Sequence, residues 1–355
     1  MRPAHFKSAR GFLVLFPQVT VIIMPGRKNF ATFGRAITLR FRTRAEGQNH
    51  SIRRWIKFPV CLIIFLGVSA PLGSSRIITD QTGRRVNVPA RPRRLVSLAP
   101  SITETLYALG LGDLIVGDTT YCDYPPEARL KPHVGALLNP SLEKIVALKP
   151  DLVLGVAESN RRETADQLER LGIPLYGLTA HSVKDTLSSI EDLGRVLGEE
   201  ARAHALIEDL GRRVGAVQAS VANLPRPKVL FVVWYRPLIT AGPHSFIADA
   251  IRIAGGDSVA DDLAADWPRL SLEDALNRDP DIILFSKSES FSPTLTEFQH
   301  LPGWKDFRAV KDHRLYFVSD TINRPSPRLI DALEEVAHIL HPSRPSSTPS
   351  PEAGR

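Results

Sequence analysis

The sequence predicts an α/β fold of two lobes with mainly parallel sheets, bridged by a single long helix, with a cleft between the lobes. A repeat is the first observation. Ser141-Leu142-Glu143, followed by Lys149-Pro150-Asp151-Leu152-Val153-Leu154, returns as Ser271-Leu272-Glu273, followed by Asp279-Pro280-Asp281-Ile282-Ile283-Leu284. In both copies the Glu precedes the Asp at the head of the apolar run by eight positions. Upstream, Ser101 to Gly112-Asp113 is echoed by Ser245 to Gly256-Asp257, each spaced eleven and twelve positions. A helix–strand unit written twice makes two similar lobes, and small ligands bind in clefts between lobes. The second observation is strand–helix alternation on both sides of the chain's middle, the mark of mainly parallel sheets. The third lies in that middle: Leu206, Leu210, Val214, Val217 and Val221 recur in steps of 4, 4, 3 and 4. That stripe predicts one helix over Glu200 to Ala222, about 33 Å long at ~1.5 Å per residue.

Length and charge bound the rest. A chain of 355 residues suits two domains of roughly 100–150 residues each. The net charge of +7 is unevenly spread. Residues 1–75 hold 12 Lys and Arg against Glu46 alone, a net of +11; the remainder holds 33 bases and 37 acids, a net of −4. The basic excess belongs to the N-terminal extension, and the folded part offers no electrostatic reason to bind nucleic acid. Within the extension, Arg53, Arg54 and Lys57 flank an apolar run from Phe58 to Val68, and small residues from Ser69 to Ser75 follow. This order describes a secretory signal over 53–75. The run is short of the ~20 apolar residues of a membrane span. Val60 stands before Cys61 where a lipoprotein acceptor would have a small residue, so lipid anchoring is not expected. Residues 1–52 form an extension of uncertain role. The lobes are expected at 76–199 and 224–342, the linking helix at 200–223, and a disordered Pro/Ser-rich tail at 343–355.

The elements follow in order. Ile77 to Val88 reads as an opening hairpin around Gln81-Thr82-Gly83. Leu95 to Ala99 is a short strand. Ser101 and Glu104 have the spacing of a capping box for the next helix, which Gly110 stops. Leu114 to Gly117 is a strand, and Cys122 to Pro126 is a loop. A helix from Ser141, a strand at Leu152 to Val156, a helix from Arg161 to Leu171 and a strand to Leu178 complete the alternation. A helix over Val183 to Leu197 ends at Gly198. Pro225 and Pro227 mark the boundary, and Lys228 to Val233 opens the second lobe. Ser326 and Pro327 are expected to start a last helix carrying Leu329, Leu333, Val336 and Leu340.

Catalytic signatures are scarce. No P-loop is present, and Gly110-Leu111-Gly112 lacks the third glycine of a dinucleotide fingerprint. The ten His show no metal-binding helical spacing. Ser97 and Ser101 lack a nucleophile elbow. Outside the signal Cys122 stands alone, so no internal disulfide is expected. No catalytic residue, metal site or cofactor is assigned. Aromatics are more informative. Tyr121, Tyr124, Trp234, Tyr235 and Trp267 fall at strand ends or in Pro-containing loops, where α/β lobes line their ligand crevice. Glu143 and Glu273 each follow a Ser cap, where the helix dipole favours a carboxylate by roughly 0.3–1 kcal/mol. That accounts for each alone but less well for their identical placement.

Val96-Ser97-Leu98-Ala99-Pro100-Ser101 with Thr103-Glu104, Asp123-Tyr124-Pro125-Pro126, and Leu142 to Val153 together resemble the helical-backbone periplasmic binding proteins of ABC importers. Trp267-Pro268 before Ser271-x-Glu273, and Ser319-Asp320 before Ser326-Pro327-Arg328, extend the resemblance to about His341. The resemblance implies an exported periplasmic protein, a monomer, that captures cobalamin or another corrinoid without catalysis and delivers it to a permease dimer. It assigns Tyr121, Trp267 and Asp320 to the ligand pocket, and Trp234 and Tyr235 to a pocket segment without a residue-for-residue match. It places Glu143 and Glu273 at the permease contact. Two pocket tryptophans of corrinoid-binding members are Leu137 and Val156 here. A ferric siderophore or haem is the alternative ligand. An α/β enzyme acting on tetrapyrrole metals is the remaining reading; it would want a His/Glu pair in the cleft, and none is evident.

Overall fold

The computed structural model describes residues 75–287 and 294–342. The expectations for residues 1–52, for the export signal short of Ser75 and for the tail at 343–355 lie outside the described residues. The opening hairpin forms as read: β1 (Ser75–Thr79) pairs antiparallel with β2 (Arg85–Pro89). Asp80 makes the turn, because its Oδ1 accepts the N–H groups of Thr82 (3.0 Å) and Arg84 (2.8 Å). Its Oδ2 accepts the N–H of Gly177 and so ties the hairpin to the first lobe.

That lobe contains β3 (Leu95–Ser97), α1 (Pro100–Ala108), β4 (Ile115–Gly117), α2 (Leu142–Ala147), β5 (Leu152–Val156), α3 (Arg162–Arg170) and β6 (Leu175–Leu178). Its strands are all parallel, in the order β4-β3-β5-β6. Every residue of β5 and β6 is buried, as befits a parallel sheet covered on both faces. Next come α4 (Val183–Leu197) and α5 (Glu200–Val221). Ser182 caps α4 at one end, and Gly198 closes it in the left-handed region at φ 77°, where glycine carries no Cβ penalty.

The second lobe contains β7 (Lys228–Tyr235), β8 (Leu238–Thr240), α6 (Phe246–Ile253), β9 (Asp257–Ser258), α7 (Leu272–Asn277), β10 (Ile282–Ser286), α8 (Leu295–His300), α9 (Arg308–Lys311), β11 (Leu315–Val318) and α10 (Leu329–Leu340). With the antiparallel β8 set aside, its order is β9-β7-β10-β11. This is the first lobe's order again, so the repeat in the sequence is a repeat in space.

The repeated residues explain themselves. Ser141 and Ser271 cap α2 and α7 by accepting the N–H groups of Lys144 and Asp274. Lys149 and Asp279 both turn the chain at positive φ, 47° and 45°. Asp151 then accepts the N–H groups of Arg93 and Arg94 at the start of β3. Asp281 accepts the N–H of Lys228 at the start of β7 (2.8 Å). Each Asp fastens its own strand to the lobe's central strand, which fixes its distance from the preceding cap.

One apolar core runs through both lobes. Leu95, Leu152 and Tyr176 of the first sheet, and Val229, Phe231 and Leu284 of the second, belong to the same cluster. Between them lie the apolar faces of α4, α5, α6 and α10. The predicted α5 stripe is the buried one: Leu210, Val217 and Val221 are inside, with Leu206 and Val214 half-buried beside them. Arg202 donates to the Leu109 carbonyl of the first lobe, and Arg213 pairs with Asp331 and Glu334 of α10 in the second. The long helix is thereby held to both. Smaller clusters cover the outer sheet faces, around Leu98, Val153 and Leu168 in one lobe and Leu230, Phe298 and Trp304 in the other. Among the described residues no helix is long and apolar enough to cross a membrane.

Two expected caps differ. Pro100 takes the first helical position of α1 behind Ala99, so Ser101 lies inside the helix and no capping box forms. Arg328 is the N-cap of α10; the Ser326 hydroxyl donates to Glu104 of the first lobe and accepts the Arg328 N–H two residues on (3.2 Å).

Candidate functional site

In a parallel sheet the loops that carry chemistry leave the carboxyl ends of the strands. Here α1 follows β3, the loop Asp118 to Pro125 follows β4, and residues 319–328 follow β11. These segments come from different lobes, yet they meet. Glu104 of α1, only 3% exposed, accepts from Arg324 Nη1 (2.8 Å), Ser326 Oγ (2.6 Å) and Arg328 Nη1 (3.3 Å). Arg324 also donates to Asp123 Oδ2 (3.1 Å) and Asp320 Oδ2 (2.9 Å). The Arg328 guanidinium lies over the Tyr124 ring, 3.8 Å from its centroid, a cation–π contact. This knot of charges is where the carboxyl ends of the two sheets face each other, and it forms the floor of the interlobe cleft. Hydrogen bonds from Arg324, then its charge, hold the Asp123 carboxyl below the usual range. Burial alone would depress the Arg324 guanidinium, but its bonds to Asp123 and Glu104 outweigh that and raise it.

The residues assigned from sequence come from both lobes. Tyr121, beyond β4, and Trp267, ahead of α7, are 54% and 42% exposed. Trp267 rests edge-on against Phe246 of α6, with centroids 6.2 Å apart. Asp320 belongs to the floor itself through Arg324. Trp234 and Tyr235 end β7, where a bulge between Val232 and Trp234 shifts the register against β8. The bulge reverses the alternation of side chains. Tyr235 consequently packs toward Phe298 of the outer cluster and lines a cavity of about 310 Å³ with Leu270, Leu272 and Trp304. Trp234 is 47% exposed and donates from Nε1 to the Arg236 carbonyl (2.8 Å). Glu143 and Glu273 are exposed in the first turns of α2 and α7.

Two polar residues tie the first-lobe loops together. The Asn160 amide accepts the Val156 N–H (2.8 Å) and donates to the carbonyls of Leu137 (2.9 Å) and Leu98 (3.3 Å). It joins the two positions that carry no tryptophan here to the end of β3. Asp118, fully buried, bonds His133 Nδ1 through Oδ1 at 2.7 Å, while its Oδ2 has no hydrogen-bond partner. Burial pushes the Asp118 carboxyl up to about 6, against the His133 hydrogen bond and charge that pull it down. Cys122 is buried between Thr103 and Thr119, and burial pushes its thiol up.

Sequence reasoning did not find the Glu104–Arg324 pairing. Its members are 220 positions apart, and neither belongs to the repeat. Arg324 itself carries no local pattern that would single it out.

Two lobes of one strand order, a long bridging helix and a cleft at the carboxyl ends of both sheets define a substrate-binding protein of the ABC importer class. Residues 95–321 match the periplasmic binding protein family, and the chain belongs to that family. It is 29% identical over 269 residues to the vitamin B12-binding protein of Yersinia pestis (strain Pestoides F), covering 76% of this chain and 92% of that protein. Among solved structures it is similar to the periplasmic vitamin B12 binding protein of Vibrio cholerae, with a TM-score of 0.63 at 27% identity over 70% of this chain and 96% of that one. The periplasmic haem-binding protein RhuT from Roseiflexus sp. RS-1 gives a TM-score of 0.64 at 27% identity, over 70% of this chain and 98% of that one.

Asp118 generates a pH prediction. Unfolded, its carboxyl loses its proton near 3.8; folded, near 6. Between those values the native state holds a proton that the unfolded chain does not, so this group's contribution to stability falls as pH rises. Asp118→Asn should therefore raise the melting temperature relative to the parent progressively from about pH 4 to about pH 6 and level off above. A difference between the two that stays flat over this range counts against a buried, proton-holding Asp118.

Proposed function

We propose that this protein captures cobalamin or a related corrinoid in the interlobe cleft and delivers it, without catalysis, to the permease dimer of an ABC importer. The observation that carries the reading is the exposure of large rings around the cleft. Tyr121, Tyr124, Trp234 and Trp267 are 42–54% exposed, and they come from both lobes. Flat rings at a water-filled cleft suit a flat macrocycle with a large apolar face. The similarity to vitamin B12-binding proteins in sequence and in structure supports the same choice. A haem reading has one observation in its favour. The Tyr124 phenol is exposed beside Arg328, and tyrosine is one of the axial ligands that haem iron accepts.

The direct test is to incubate the purified protein with cyanocobalamin, desalt it and record its spectrum. Retention of the corrinoid bands is expected; their absence, with retention of haemin or a ferric siderophore instead, transfers the protein to the alternative ligand. Trp267→Ala should weaken cobalamin binding roughly 5- to 150-fold, since burying such a ring contributes on the order of 1–3 kcal/mol. Unchanged affinity removes Trp267 from the site.

Glu143 and Glu273 supply the docking contacts in this proposal. Both are exposed, occupy matching turns of matching helices, and have no ion-pair partner among the described residues. A dimeric permease presents two equivalent surfaces, and two carboxylates in repeated positions can meet a basic patch on each. Rim charges of this kind set orientation and association rate more than affinity. The double variant Glu143→Ala, Glu273→Ala should keep its cobalamin affinity within about twofold while transport into reconstituted vesicles falls at least tenfold. Loss of cobalamin binding, or full transport, refutes the docking role.

Export follows from the segment over 53–75, which the proposal takes as a cleaved signal. Protein recovered from the native cell envelope should begin between about Ala70 and Arg76 on N-terminal sequencing. Recovery of residues 1–50 on the exported protein contradicts it.

A further inference from the structure

The arginines of the cleft floor are not equally occupied. Arg324 donates from Nη1 to Glu104 and Asp123, and from Nη2 to Asp123 and Asp320. Arg129 joins the edge of the cluster, donating from Nε to the Asp123 carbonyl (3.2 Å). Arg328 is different. Its guanidinium bonds through Nη1 alone, to Glu104 Oε1 at 3.3 Å, an oxygen that Arg324 already holds at 2.8 Å. Among the described residues Arg328 Nε and Nη2 have no hydrogen-bond partner. Glu104, Asp123 and Asp320 stand against Arg129, Arg324 and Arg328, so the cluster carries no surplus charge of either sign.

The Nε–H and Nη2–H of one guanidinium run parallel and make a two-pronged donor that fits paired oxygens of a carboxylate or phosphate. In Arg328 that fork is whole. Nη1 points at the buried Glu104, so the fork is turned away from it, and 26% of the Arg328 side chain meets solvent. The Tyr124 ring, 3.8 Å from the guanidinium carbon, and the Glu104 bond hold the group in place without using Nε or Nη2. A donor already held in place loses little freedom when it binds.

We propose that Arg328 is a ligand-binding residue whose open fork takes the paired oxygens of an anionic group on the cleft ligand. This deepens the corrinoid reading and rests on it for the source of the anion: cobalamin carries one such group, the phosphodiester of its nucleotide arm. A haem would offer a propionate to the same fork.

The test sets cyanocobalamin against dicyanocobinamide, which keeps the corrin ring and its amide arms but lacks the phosphodiester. Both are titrated into the parent, Arg328→Gln and Arg328→Lys. Lysine keeps a positive charge beside Glu104 and Tyr124 but has no fork, and it serves if Arg328→Gln does not fold. Each variant should bind cyanocobalamin roughly tenfold or more weakly, and dicyanocobinamide within about twofold of the parent. An equal loss of both ligands marks Arg328 as packing only and overturns the proposal, as does unchanged binding of cyanocobalamin. A second readout follows the ligand itself. The phosphorus-31 resonance of saturating cyanocobalamin should shift on binding to the parent and move back toward its free position in Arg328→Lys; the same bound position in both proteins overturns the proposal. A parent that retains haemin and no cobalamin defeats the corrinoid reading alone. Haemin against its dimethyl ester then tests the fork: Arg328→Gln should weaken haemin and spare the ester, and equal loss of the two overturns the role of Arg328.

Discussion

Burial of two parallel sheets against one shared layer of helices is the constraint on which the rest depends. A parallel sheet has to be covered on both faces, and the inner faces of both lobes are covered by the same group, α4, α5, α6 and α10. Each fully buried aliphatic or aromatic side chain contributes about 1.5–3 kcal/mol. The α5 stripe thus does more than span a gap: its buried residues are part of a single core. That arrangement sets the spacing of the lobes and brings the carboxyl ends of their strands together above the helices. The cleft is a product of that packing.

At the floor a different physics takes over. Apolar contacts give way to a charged knot in which Glu104, Asp123 and Asp320 share two arginines. Such a cluster is weak evidence for stability, because desolvation offsets most of the attraction. It is strong evidence for a defined arrangement, since directional bonds fix which atom faces which. The exposed rings above it are held by ordinary packing, as Trp267 is by Phe246. Glu143 and Glu273, exposed on α2 and α7, take no part in this knot, so in the proposed function capture and docking draw on separate parts of each lobe.

The fold was legible because its signals are local or repeated. Helix α4 spans Val183 to Leu197 as read, with Gly198 as its stop. The repeat had a covalent logic, since Asp151 and Asp281 must reach the strand beside them. Failures came where distant groups overrode local pattern. Ser101 and Glu104 have capping-box spacing, but Pro100 starts the helix first and the arginines claim the carboxylate. Ser326 reads as a cap, but its hydroxyl accepts the Arg328 N–H ahead of the helix, and α10 begins only at Leu329. Which face Trp234 and Tyr235 each take depends on a bulge that no residue type at that position announces. Asp118 gave no signal because its burial comes from the loops folded over it.

The shared core also limits how this architecture can be taken apart. Although the lobes are copies in pattern, neither is a finished globule. Severing the chain after α5 would leave the first lobe with the bare side of Leu210, Val217 and Val221, and the second with the uncovered face of α10. Apolar surface of that extent invites association. Two lobes that share one core are, in that sense, copies in pattern but a single unit in folding.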